Sequence, residues 1–171
     1  MAWGALGGSC SDSIEEALSL FQTALEYDST LVLGLVGRAH CLMVQDNYSE
    51  ALEVLTRAMF IDPSWISIWL KTAEIYRYQN EFEKALACVN EALKEWPLSK
   101  QLMSEAGWIM ELTGKYNAAE MVYRKIADIY PDDTDCLINL GLLLESQDRY
   151  GPAVKVYREL LRRDPENYLS L

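Results

Sequence analysis

Histidine is almost missing from these 171 residues: His40 is the only one. That leaves little material for imidazole-based acid–base or nucleophilic chemistry. Cys41 beside it makes no reactive pair, because adjacent helix residues point about 100° apart. No glycine-rich phosphate loop follows a strand. The four cysteines, Cys10, Cys41, Cys88 and Cys136, are far apart and form no C-x-x-C pair. A chain of this length and apolar content needs no disulfide staples, so free thiols in a reducing, cytoplasmic compartment are expected. Acids with one histidine and scattered thiols are the common composition of a solvated helical surface, so neither a metal centre nor a cofactor is expected. No apolar run reaches the roughly 18 residues of a membrane span. Met1 to Cys10 lacks the basic start and long apolar stretch of a secretory signal. Positive charge is also scarce: 15 Lys and Arg stand against 26 Asp and Glu, for a net charge of -11 and a pI near 4.5. A nucleic-acid partner needs a basic surface, and an anionic membrane favours one, so neither is expected. Basic or neutral proteins remain. With five prolines, nine glycines and half its residues apolar, the chain is neither disordered nor low in complexity.

What the chain does have is a period. Pro63, Pro97, Pro131 and Pro165 are each 34 residues apart. Tyr48, Phe82, Tyr116 and Tyr150 keep the same spacing, as do Ala17, Ala51, Ala85, Ala119 and Ala153. Such self-similarity means a stack of one supersecondary unit. In 66–99 the apolar residues Ile68, Trp69, Ala73, Ile75 and Tyr76 predict a helix over Ser67 to Gln79. Gln79-Asn80-Glu81 breaks it. Phe82, Ala85, Leu86, Val89, Ala92 and Leu93 predict a second helix from Phe82 to Glu95. Trp96-Pro97-Leu98-Ser99 then closes the unit, since proline lacks the amide donor a helix needs. Equivalent breaks stand at Gln45-Asp46-Asn47, Thr113-Gly114-Lys115 and Gln147-Asp148-Arg149, built from residues that tolerate left-handed backbone.

The pattern resembles the tetratricopeptide repeat, W-x2-L-G-x2-Y followed by A-x3-F, A and P. In 66–99 the matches are Trp69, Ala73 in the Gly slot, Tyr76, Ala85, Ala92 and Pro97. In 100–133 they are Gly107, Ala119, Tyr123 and Pro131. In 134–167 they are Leu140, Gly141, Ala153, Tyr157 and Pro165. In 32–65 they are Ala39, Ala51, Ala58 and Pro63. The resemblance implies an all-α fold, a right-handed α-solenoid of helix-turn-helix units with about nine helices. The array is expected over 12–167: a half repeat at 12–31, then 32–65, 66–99, 100–133 and 134–167. Residues 1–11 are expected to be poorly ordered or loosely helical, and 168–171 to begin a further, truncated unit. Small residues in the Gly and Ala slots allow close helix approach, and stability is a sum over neighbouring units.

The resemblance also implies a function, protein–protein interaction without catalysis, and a place for it. In such arrays the first helix of each unit lines a groove. By phase, that groove takes Val36, His40 and Met43 from 32–65, and Leu70, Lys71, Glu74, Arg77 and Tyr78 from 66–99. It takes Ser104, Glu105, Trp108 and Glu111 from 100–133, and Ile138, Asn139, Leu142 and Glu145 from 134–167. Trp108 and Tyr78 are the expected aromatic anchors, ringed by acids. The expected partner is therefore a peptide or helix with basic and apolar side chains. The carboxylate clamp of some such arrays is not matched. Its Lys slot holds Val36, Leu70, Ser104 or Ile138, and its Asn slot holds His40, Glu74, Trp108 or Leu142. The alternative expectation is structural: a segment of a larger array, or weak self-association through the last helix by Val154, Tyr157 and Leu161.

Overall fold

The computed structural model describes the backbone from Ala5 to Pro165 and side chains from residue 13 onward. Among the described residues there is no strand. Nine helices follow one another: α1 (Ala5–Tyr27), α2 (Val32–Val44), α3 (Tyr48–Ile61), α4 (Ile66–Tyr78), α5 (Phe82–Glu95), α6 (Lys100–Leu112), α7 (Tyr116–Ile129), α8 (Asp135–Glu145) and α9 (Tyr150–Arg163). The periodic residues explain the punctuation. Asp62, Trp96, Tyr130 and Asp164 are C-cap residues, and each is followed by one of the phased prolines. The polar breaks turn through left-handed backbone at Asp46 (φ 58°), Asn80 (φ 60°), Gly114 (φ 72°) and Asp148 (φ 58°). That region is open to Gly and least costly to Asn and Asp among the rest. Asp62 braces the turn into α4, accepting hydrogen bonds from the Ser64 amide and the Trp65 indole, both at 3.0 Å.

α1 begins at Ala5, ahead of residue 12, so the N-terminal stretch is helical through Gly7 and Gly8. Extending a helix costs much less than nucleating one, and the run from Ile14 supplies the nucleus. The expected further unit at 168–171 lies outside the described residues.

The chain forms two compact units, Met1–Gln79 and Asn80–Leu171. The boundary falls in the turn between α4 and α5, inside the stretch 66–99. In the first unit α1 to α4 pack as successive neighbours, and α2 also meets α4. Its core holds Leu25, Leu35, Leu42, Leu55, Ile68 and Ile75. Gly37 faces the Phe21 ring so closely that an added Cβ would lie 2.3 Å from Cζ.

In the second unit α5 to α9 pack in the same way, around Met103, Tyr123, Ile126, Leu137, Leu140, Leu143 and Leu160. Here the small-residue slots have a visible purpose. Gly107 accommodates the Tyr123 ring, and Gly141 accommodates Tyr157. Cβ atoms there would sit 2.8 Å and 2.2 Å from the respective Cε1 atoms. Ala119 and Ala153 are buried from the partner helix. Each missing side chain lets a tyrosine from the second helix of a repeat lie across the first.

Candidate functional site

The second unit carries a surface cavity of about 460 Å³, lined by Gln101, Ser104, Glu105, Trp108, Glu111, Tyr123, Asn139 and Leu142. The wall from α6 follows from helix periodicity: residues 101, 104, 105, 108 and 111 recur at three- and four-residue steps and so share a face. The Ser99 hydroxyl starts this helix by accepting from the Leu102 amide at 3.5 Å. α8 supplies Asn139 and Leu142. Trp108 leaves 43 % of its surface exposed and Leu142 53 %. A large aromatic and a leucine are thus held half out of the protein on a rigid helical frame, which is how hot-spot anchors are presented.

Electrostatics distinguishes the cavity further. Its lining holds two carboxylates, Glu105 and Glu111, and no lysine or arginine. Burial raises the Glu111 pKa above the ordinary glutamate value, opposed by a hydrogen bond from the Tyr123 hydroxyl at 3.4 Å. Tyr123 in turn is pushed up by burial, then by the charge of Glu111 and its hydrogen bond, then by the charge of Glu105. The cavity is therefore a negative site with an indole beside it and would gain from a cation.

The first unit arranges its candidates differently. On α4, Lys71 Nζ lies 3.2 Å from Glu74 Oε2. The Tyr78 hydroxyl donates to Glu74 Oε1 at 3.4 Å. The Arg77 guanidinium stands 5.1 Å from the Tyr78 ring centre. Tyr48 stacks on Tyr78 with ring centres 5.8 Å apart and planes 20° apart. Glu74 is already engaged by a cation and a phenol. This unit presents a stacked pair, Tyr78 exposed and Tyr48 half-buried, rather than an acidic pocket.

Of the expected groove residues, Ser104, Glu105, Trp108, Glu111, Asn139 and Leu142 come together in the cavity. Val36 and Ile138 are half-buried, packed against their cores. His40 and Glu145 are exposed, and Leu70 is half-buried. Met43 is a correction. It is only 6 % exposed, in the same core cluster as Leu55, and it offers no surface to a partner. Its repeat phase is that of Arg77, Glu111 and Glu145, and Met43 alone of these is buried, because its neighbours around Leu55 are apolar. On α9, Val154 is 46 % exposed. Tyr157 turns onto Gly141 and Leu161 is half-buried.

Two residues of these surfaces do not stand out in the sequence. Tyr123 fills a core slot of the repeat pattern, yet it forms part of the cavity lining. A signal is present: a glycine, a glutamate four residues on and a tyrosine sixteen on, at Gly107, Glu111 and Tyr123 and again at Gly141, Glu145 and Tyr157. Tyr48 marks the repeat phase, and it also stacks on Tyr78.

Among the described residues, no group of three or more His, Cys, Asp and Glu side chains is placed to hold a metal. No helix among them is long and apolar enough to cross a membrane. Cys41, Cys88 and Cys136 are free thiols. Burial pushes Cys88 up to about 11, so it is protonated near neutrality.

A family model described as tetratricopeptide repeat matches residues 70–134, and a second of the same description matches 134–167. No curated protein matches the chain in sequence. Several solved structures share its fold. YrrB, a protein of this repeat type described as having an unusual peptide-binding site, is 17 % identical, with a TM-score of 0.68 over 95 % of this chain and 84 % of its own. MamA from Desulfovibrio magneticus RS-1 is 14 % identical, with a TM-score of 0.74 over 96 % of both chains. A thermophilic protein of this repeat type from Thermus thermophilus is 20 % identical, with a TM-score of 0.72 over 95 % of this chain and 89 % of its own. These likenesses establish an all-α helical repeat solenoid.

Proposed function

The chain belongs to the tetratricopeptide repeat family, whose members generally mediate protein–protein interaction, and we propose that it is a scaffold or adaptor that binds a partner peptide or helix through the first helices of its repeats. The observation that carries the reading is the cavity at Trp108, where an exposed indole, Leu142 and two carboxylates share one surface without a cation among the lining residues. Such a surface suits a segment that alternates basic and apolar side chains. The indole takes a lysine or arginine against its face, Glu105 and Glu111 offset the charge, and Leu142 covers an apolar neighbour. The peptide-binding site described for YrrB supports the class of ligand, though not its sequence. The reading is of a binding protein and not an enzyme. The free thiols at Cys41, Cys88 and Cys136 support a cytoplasmic setting.

Titrating the isotope-labelled chain with a short peptide of alternating lysine and leucine tests this. Amide shifts should concentrate on α6 and α8 around Trp108 and Leu142. Shifts confined to other helices would defeat the proposal.

A second reading is weak self-association through α9, favoured by the exposure of Val154. Sedimentation should then show a concentration-dependent dimer that Val154→Lys or Leu161→Lys shifts toward monomer. A wild type monomeric at high concentration removes it.

A further inference from the structure

A cleft of the opposite chemistry lies elsewhere in the second unit. It has a volume of about 550 Å³ and opens between α7 and α9 over Leu137 and Leu140 of α8. Asn139 and Leu142, which line the Trp108 cavity, sit two residues further along α8 and so on nearly the other side of that helix. The two sites are therefore served by different faces of one element.

Arg124, Arg149, Lys155 and Arg163 line this cleft against only Asp128 and Glu159, in a chain whose net charge is -11. The ion pairs do not cancel the excess, because each carboxylate is shared. Glu120 lies 2.8 Å from Arg124 Nη2 and 2.6 Å from Arg149 Nη1. Glu159 lies 2.7 Å from Arg162 Nη2 and 2.8 Å from Arg163 Nε. Glu120 offsets one of Arg124 and Arg149 and leaves the other, whereas Arg163 is held by Glu159 and donates to the Ala127 and Pro131 carbonyls. Lys155, exposed on α9, makes no ion pair among the described residues.

The floor is apolar: Leu137, Leu140 and Val156 line it beneath the cations. That floor is already buried, with Leu137, Leu140 and Val156 at 4 %, 1 % and 6 % exposure, so recognition rests on the charges around the rim. The volume falls within the roughly 300–1,000 Å³ of organic ligand clefts. Arginine forks match carboxylates in plane, often with two parallel hydrogen bonds. We infer that the α7–α9 cleft docks an acidic segment of a partner protein, its Asp or Glu carboxylates meeting Arg149 and Lys155. The protein then has two docking surfaces of opposite sign. The acidic one at Trp108 takes a basic segment, and the basic one takes an acidic segment, from one partner or two.

The test uses the full chain and a fluorescently labelled peptide of alternating glutamate and leucine, with a glutamine-for-glutamate control. Anisotropy should show the acidic peptide bound and the control at least about tenfold weaker. Amide shifts should fall on α7 and α9. Lys155→Glu should weaken binding about tenfold with an unchanged helical spectrum, and Lys155→Ala by less. Trp108→Ala should bind the acidic peptide as wild type does, which separates this site from the groove. Equal binding of the two peptides, normal binding by Lys155→Glu, or shifts on α6 would each overturn the inference. So would complete displacement of the peptide by inorganic phosphate at equal concentration, which would mark a simple anion site.

Discussion

The Tyr123 hydroxyl reaches Glu111 at 3.4 Å because Gly107 leaves room for the ring. One repeat later the Tyr157 hydroxyl is hydrogen-bonded to Glu145, with Gly141 beneath the ring. Both pairs serve the fold, and the Tyr123–Glu111 pair also lines the cavity. The tyrosine locks the two helices of a repeat together, and the bond steers a carboxylate at the edge of the surface where a ligand would lie.

Glu111 has a cost attached. Its pKa is raised by burial, so its charged form is less favourable in the folded chain than in the unfolded one. A raised value means stability that is fully present below the unfolded pKa and falls as pH rises through the folded one. Glu111→Gln should therefore melt no earlier than wild type at pH 7, and the wild type should gain on it as pH falls toward about 4. The same variant should bind a basic peptide less well. A Glu111→Gln protein that is less stable at pH 7 would contradict the burial argument. Tyr123→Phe should cost at most about 1 kcal/mol, the worth of one long hydrogen bond, and raise the Glu111 pKa further in a carboxyl NMR titration.

Substitutions at three glycines should separate close packing from backbone freedom. Gly141→Ala drives a Cβ to 2.2 Å from the Tyr157 ring and should cost roughly 1–3 kcal/mol as the ring is displaced. Gly151→Ala meets nothing within 4 Å in the first turn of α9 and should stabilise by about 0.5–1 kcal/mol. Gly114→Ala also has open space, but its φ of +72° makes it destabilising by about 1–2 kcal/mol. Thermal melts of the three variants check the order.

Charge complementarity at the Trp108 cavity predicts a salt effect. Association of the lysine–leucine peptide should slow as ionic strength rises, because screening shortens the field to about 8 Å at physiological salt. An association rate flat from low to high salt would leave only the apolar contact.

Much of this molecule is legible in its sequence. The phased prolines and polar breaks placed helix ends to within a residue or two, because each break needs a residue that stops a helix or turns left-handed. Trp108 was identifiable because it fills a slot that elsewhere holds His40, Glu74 and Leu142. Legibility ended where two helices decide a side chain's fate together. Repeat phase put Met43 and Glu111 in equivalent slots. What each faces depends on the partner helix, apolar around Leu55 and phenolic at Tyr123. Tyr48 and Tyr78 lie on different helices, and no spacing within one helix announces their stack.

In the proposed function Trp108 is a partner anchor and not part of the core. Calorimetric titration of the lysine–leucine peptide into wild type and Trp108→Ala, with a melt of each protein alongside, tests it directly. Binding should fall by about 2 kcal/mol or more, roughly thirtyfold in affinity, with the melting temperature nearly unchanged because the indole is 43 % exposed. A variant that binds normally while melting much earlier would contradict it.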